Sequence, residues 1–290
     1  MPRARDTGRK LRLSVFIFGA GKVGAALARV IRAHGGHVEL RAARAGVPPR
    51  PIQADLLVLA VRDGDLLPLA NKLVEGGLVR ARTACVHVAG ALTAEAIAPL
   101  RAVSAGVAQM HPMISFASRE RPPRLDAGNM HISGDPVAVE RARKLARAIG
   151  MEPRTIPGLD TTGYHAAAGL VANGAAALAA IGARMLETAG VPADVAPMML
   201  GPLLRSVADN VSALAFPAAL TGPVRRGDPK AIQRHLEVFE KRMPDAVPLF
   251  LASGLAQLPL AREIGEAAPE GYDAIEALLK AKWGAISRPT

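Results

Sequence analysis

The stretch FIFGAGKVGAALARV, residues 16–30, decides how the first half of the chain is read. An apolar run leads directly into Gly19, Gly21 and Gly24, and the residues that follow, Val23, Ala26, Leu27, Val30 and Ile31, recur at helical spacing. Strand, glycine turn and helix in that order form the setting in which G-x-G-x-x-G holds a dinucleotide. Gly19 permits the sharp turn, Gly21 lets a pyrophosphate approach the backbone, and Gly24 lets helix and strand pack closely. The unpaired amides of the helix start then face the phosphates. Residues Gly19, Ala20, Gly21, Lys22, Val23 and Gly24 are the expected phosphate site. The bland alternative is a tight turn in a chain that has 28 glycines.

Outward from this loop, short apolar runs alternate with helical patterns, which predicts stacked βαβ units and a parallel sheet. SVFIFG, HVELRAA, ADLLVLAV (followed by RDGD, read as turn residues), TACVHVAG and AGVAQM read as strands. From Asp135, a plausible cap with Pro136 behind it, PVAVERARKLARAIG reads as an amphipathic helix, and MEPRTIP as a last strand. Beyond Gly158 the pattern is helical: about 161–189, 192–214, 229–243, 244–258 and 272–282. The expected fold class is α/β, a Rossmann-type parallel-sheet domain over residues 1–158 followed by an all-helical domain over 159–290.

Composition removes several classes. The 290 residues suit two ordinary domains. AAAGLVANGAAALAAIGARM, from Ala166, is the most apolar stretch; mostly alanine and glycine and interrupted by Asn173, it reads as a buried helix rather than a membrane span. The basic start MPRARDTGRK reads as a frayed tail through Lys10, and the apolar run after it leads into the glycine loop where a signal peptide would have its cleavage site, so a cytoplasmic protein is expected. Cys85 is the sole cysteine and sits in an apolar strand pattern, so it is given no chemistry. A net charge of +11 invites a nucleic-acid reading, but the charge is dispersed, 28 of the 36 basic residues are arginine, and aromatic residues make up only 3%, too few for stacking platforms. No metal is expected.

The end of the second strand selects the dinucleotide. An NAD site usually offers a carboxylate there to the ribose 2′-hydroxyl, whereas HVELRAARAG has alanines at 42 and 43 between Arg41 and Arg44. Glu39 falls mid-strand, too early for the ribose. The missing acid and the guanidiniums favour NADP, with a charge-assisted fork from Arg44 to a 2′-phosphate; two solvated arginines are the alternative.

In open parallel sheets ligands bind outside the carboxyl ends of the strands. There the sequence places Val61 and Arg62, expected to line the nicotinamide, and then His87 and His111. Either imidazole can be an acid, a base or a donor, or can simply fix a loop.

GAGKVG, ADLLVLAVRD, VHVAGAL, MHPMISF, YHAAAGLVAN and GPVRRGD occur in an order that resembles the Rossmann-like proteins with a DUF2520 C-terminal domain. These are similar to pyrroline-5-carboxylate reductase, F420-dependent NADP reductases, and the 6-phosphogluconate and β-hydroxyacid dehydrogenases. The resemblance runs from Leu11 to about Phe239; it is specific in HPMISF, YHAAA and RGD and generic in the glycine loop. It implies an N-terminal Rossmann domain, a helical 6-phosphogluconate dehydrogenase-like C-terminal domain that forms a homodimer, and a reductase. It also exposes a departure: β-hydroxyacid dehydrogenases carry a lysine four residues before an asparagine, and here Asn173 is preceded by Gly169. Tyr164 and His165, one or two turns earlier, are the candidate replacements, unless they only pack a domain interface.

The expected function is an NADP(H)-dependent oxidoreductase reducing a C=O or C=N group of a small anionic substrate in the interdomain cleft. His165 is the first candidate proton donor and Asn173 the orienting amide, with His111 and Tyr164 behind them. Arg225 or Arg226 would clamp an anion or meet an interface carboxylate. The alternative is a non-catalytic NADP-binding sensor or assembly protein; F420 as electron partner rests on the resemblance alone.

Overall fold

A computed structural model describes residues 13–126 and 128–286. The basic tail through Lys10 lies outside the described residues. The chain divides into two compact units at Ala172/Asn173; the sequence boundary at 158/159 falls just ahead of the helix in which this division lies.

The first unit is built on seven strands: β1 (Val15–Phe18), β2 (Val38–Arg41), β3 (Leu56–Leu59), β4 (Ala84–His87), β5 (Val107–Pro112), β6 (Asn129–Gly134) and β7 (Glu152–Arg154). Their order is β2-β1-β3-β4-β5-β6-β7. β1 to β5 are mutually parallel, β6 runs antiparallel to β5, and β7 parallel to β6. β1, β3 and β4 are buried at every position, as strands covered on both faces must be. One face carries Val15, Ile17, Leu56, Val58, Ala108 and Met110 under α1 (Lys22–Ala33) and α3 (Pro136–Ala148). The other carries Phe16, Phe18, Leu57, Leu59 and Cys85 under α2 (Asp63–Glu75). Burial pushes the Cys85 thiol up to about 12, which keeps it protonated and inert.

Three local expectations are corrected. RDGD is not a turn: Arg62 is the residue before α2, and Asp63 and Asp65 occupy its first turn, where acids suit the helix dipole. β6 was not foreseen, because NMHISG places a buried histidine between Met130 and Ile132 and so hides its strand pattern. Asp135 stands at the cap position of α3 but does not cap it. Its Oδ2 instead accepts the Val107 amide at 2.9 Å and the Arg101 Nε at 2.9 Å, pinning the start of β5.

The second unit is helical: the latter part of α4 (Thr161–Thr188), then α5 (Ala196–Leu214), α6 (Pro229–Arg242), α7 (Val247–Ile264) and α8 (Pro269–Ile286). α6, α7 and α8 enclose Ile232, Leu236, Leu251, Leu258, Ile275 and Leu279. Asp228 caps α6 as expected, accepting the Ala231 amide at 3.0 Å ahead of Pro229. α4 is not the buried helix that its alanines suggested: none of its 28 residues is buried within the chain. By length and composition it is also the one helix among the described residues that could cross a membrane. Those criteria alone carry no assignment, because core helices of soluble proteins meet them too.

Replacing Asp135 by alanine leaves the Val107 amide and the Arg101 Nε without their acceptor, while the rest of the Arg101 guanidinium stays on Glu95. It is expected to cost about 1–3 kcal/mol in urea unfolding, whereas removal of an unused cap would leave the midpoint where it is.

Candidate functional site

At the end of β1 the three glycines separate by what each is for. Gly19 has φ +114°, and a Cβ there would lie 2.2 Å from the Ala60 carbonyl oxygen at the end of β3. Its amide donates to the Arg41 carbonyl at 2.8 Å, joining the loop to β2. A Cβ on Gly24 would sit 1.9 Å from the Gly19 carbonyl oxygen, so α1 can leave the strand at this angle only without a side chain there. Gly21 differs. Its φ of −72° suits any residue, and a Cβ would meet nothing among the described residues within 4 Å. Fold and packing thus explain Gly19 and Gly24 and leave Gly21 to a close approach from outside. Gly21 opens α1 with no side-chain cap, and no acid occupies the first turn. Amides and dipole there suit an anion, and the loop fits the dinucleotide diphosphate expected from the sequence.

β1 and β3 are neighbours although β2 intervenes in the chain, so the loop lies at the point where strand order reverses. Beside it, Glu39 is the second residue of β2, opposite Phe16 and two positions short of the strand end. Arg44 is exposed in the 3-10 turn Ala43–Ala45. Arg41 is held differently: its guanidinium donates to the carbonyls of Ala45, Gly46 and Val47. Val61 packs partly buried against the sheet, and Arg62 is exposed beside it.

A second cluster forms at the carboxyl ends of β4 and β5. α4 starts there because Asp160 Oδ1 accepts the Thr162 amide at 3.0 Å and Thr161 Oγ1 donates to the Ala91 carbonyl at 3.1 Å. The first turn so placed brings Tyr164 and His165 to His111 on β5. The Tyr164 hydroxyl and His111 Nδ1 are 3.2 Å apart, and the rings of Tyr164 and His165 meet that of His111 edge-on at 5.5 and 5.6 Å. Gly90 is the floor: a Cβ there would lie 2.3 Å from His165 Nδ1 and 2.7 Å from His111 Nε2, so two ring nitrogens converge above one bare Cα. Gln109 holds that floor, its amide nitrogen donating to the carbonyls of Ala89 and Gly90.

His87 stands apart. Its Nε2 donates to the Thr93 carbonyl at 2.8 Å while Nδ1 accepts the Ala89 amide at 3.2 Å, so it fixes the loop and has no nitrogen left for a substrate. Burial holds it below the usual histidine range. Asn173 is exposed on α4, eight residues beyond His165 and within the second unit. There Arg225 is engaged by Glu266 at 2.5 Å and by the carbonyls of Ala218 and Leu220, while Arg226 is exposed.

One member was missed from the sequence. His131 lies directly opposite His111 in the β5–β6 ladder and is 3% exposed; its ring is 5.6 Å from that of Tyr164, and its Nδ1 has no hydrogen-bond partner among the described residues. Nothing flagged it, because the strand that carries it went unread. Burial, then the charges of His165, His131 and His87, hold His111 down to about 4, and burial lowers His131 and raises Tyr164. Near neutral pH His111 is therefore an uncharged imidazole beside a protonated phenol. Among the described residues no group of three or more His, Cys, Asp or Glu is placed to hold a metal.

The depressed histidine has a consequence for stability. Between about 6.5, the ordinary value, and about 4 the unfolded chain binds a proton that folded His111 refuses. Stability is thus intact above that window and falls as pH is lowered through it. Thermal unfolding followed from pH 7.5 to 4.5 should show this decline, and His111→Gln should flatten it; an unchanged slope in the variant would assign the decline elsewhere.

Comparison with known proteins agrees with this architecture. Residues 129–256 match the family model described as a domain of unknown function, DUF2520. No curated protein matches the sequence significantly. Among solved structures, the chain is similar to a Bacteroides fragilis protein provisionally named an NADP oxidoreductase (21% identity, 86% of this chain and 99% of that one, TM-score 0.66). A Thermotoga maritima protein follows (22%, 86% and 98%, TM-score 0.62). The NADP-bound pyrroline carboxylate reductase of Plasmodium falciparum is similar over 92% of this chain and 100% of that one, at 13% identity and a TM-score of 0.58. These likenesses are of fold. The chain thus carries a DUF2520 domain, beginning at β6 and ending in α7, in the architecture of a Rossmann-type sheet followed by a helical unit.

Proposed function

We infer that the protein is an NADP(H)-dependent oxidoreductase that reduces a C=O or C=N group of a small substrate. The observation that carries this reading is Gly21, a glycine that neither backbone conformation nor packing requires, at the uncapped start of α1. The loop from Gly19 to Gly24 would hold the diphosphate and Arg44 the 2′-phosphate. The cofactor supplies the hydride; this chain's residues bind, orient and provide the proton. His165 Nδ1 and His111 Nε2 both lie close against the bare Cα of Gly90. A Tyr164 O–H donating to His111 Nδ1 places the ring proton of the neutral imidazole on Nε2, where it steadies the acceptor atom. His165 gives up the proton that the product atom needs.

Calorimetric titration with NADPH and NADH tests the cofactor, and a panel of aldehydes, keto acids and imines under the tighter cofactor tests turnover. Wild type should prefer NADPH, and Arg44→Ala should lose about tenfold or more of that preference, as expected for a charge-assisted contact. Gly21→Ala should fold normally yet bind NADPH poorly. His165→Ala should retain binding and lose turnover. A protein that binds NADPH but turns over nothing in the panel would be a sensor instead; preference for NADH would remove the role given to Arg44.

The partner expected from the sequence is a second copy of the chain. In α5 only Ala196 is buried, while Met199, Leu203 and Val207, spaced to share one side of the helix, are at least half exposed. Contiguous apolar surface of this kind usually marks an interface. Light scattering should give twice the 30.1 kDa of the chain, and Leu203→Asp should shift it toward the monomer; a wild-type monomer at micromolar concentration would refute this.

A further inference from the structure

Two parts of the nucleotide loop region meet in a single residue, Arg41, the last of β2. Its backbone carbonyl accepts the Gly19 amide at 2.8 Å and so fixes the first glycine of the loop. Its side chain is bound to the turn that follows: Nε donates to the Gly46 carbonyl at 2.7 Å, and Nη2 to Ala45 at 2.7 Å and Val47 at 3.2 Å. Those carbonyls form the exit of the 3-10 turn that carries Arg44. The turn has no buried residue of its own, and it leaves through Gly46 at φ +66°. β2 is also the edge strand of the sheet, so among the described residues no further strand braces the turn from outside. Without core contacts or a neighbouring strand, the turn depends on the Arg41 fork and on its own two short backbone bonds, Ala45 amide to Ala42 carbonyl and Gly46 amide to Ala43 carbonyl.

We propose that Arg41 is a positioning residue for cofactor selection: it holds the Ala43–Ala45 turn against the glycine loop so that Arg44 presents its guanidinium to the 2′-phosphate. This rests on the NADP reading above and deepens it by separating the two arginines, one that touches the phosphate and one that builds the ledge. Charge at position 41 is then insufficient. A lysine keeps the charge but loses the planar fork, with its fixed Nε and Nη2 donors, that spans three carbonyls.

The test uses the full chain as wild type, Arg41→Lys, Arg41→Ala and Arg44→Ala, titrated with NADPH and with NADH, together with hydrogen exchange of residues 43–47 in the nucleotide-free protein. Both Arg41 variants should bind NADPH about tenfold more weakly, bind NADH as wild type does, and exchange faster over 43–47. Arg41→Lys binding NADPH as tightly as wild type would overturn the proposal, since it would make position 41 a simple cation. Unchanged exchange over 43–47 in Arg41→Ala would overturn it as well. A wild type without preference for NADPH removes the cofactor reading and this inference together. A wild type that prefers NADPH, beside an Arg41→Lys equal to it, removes this inference alone.

Discussion

The first unit depends on one close approach, that of α1 to the ends of β1 and β3. Gly24 clears the Gly19 carbonyl and Gly19 clears the Ala60 carbonyl, with no room for a Cβ at either place. This fixes the angle at which α1 crosses the sheet, hence the face of Leu27, Ala28 and Ile31 that completes the core, and hence where the uncapped amides of α1 point. A methyl at Gly24 would press on a backbone oxygen that cannot rotate away, so the helix would have to lift from the sheet it covers. The glycine loop is in this sense a by-product of a packing constraint, and Gly21 is the residue the constraint does not explain.

The second cluster shows the same economy. β5 and β6 set His111 and His131 side by side, and Tyr164 lies against both rings. Such a cluster is poorly hydrated and holds no carboxylate, so a proton on His111 is opposed by burial first and by its neighbours second. The result is an imidazole that stays uncharged near neutral pH. His131 has a buried ring nitrogen with no hydrogen-bond partner among the described residues. Groups of that kind in native structures usually sit beside functional sites.

Much of this was legible in the residues. The glycine spacing after an apolar run gave the loop; the histidines after successive strand patterns marked the sheet edge; Gly227, Asp228 and Pro229 gave the turn and cap of α6, which the structure bears out. Other features were misread for identifiable reasons. Asp135 before Pro136 has the form of a cap, but its carboxylate is claimed by Arg101 and Val107, which lie far from it in the chain. Arg225, read either as an anion clamp or as a partner for an interface carboxylate, meets the carboxylate of Glu266, 41 residues away in the same chain. Alanine-rich α4 read as buried because small apolar residues usually are, yet within this chain none of its residues is buried.

Taken alone, the sequence determined what local chemistry can determine: where the chain turns, which segments alternate, which residues could bind phosphate or move a proton. Only the tertiary structure decided which of those residues are free to do so. Arg41 and Arg44 are the same residue type three positions apart, and nothing local separates them. One has its fork on three carbonyls and the other is exposed because β2 ends the sheet and the chain folds back under Arg41 alone. Hydrogen-bond donors can be shared out only once the acceptors have been brought within reach, and that is a property of the fold rather than of the string.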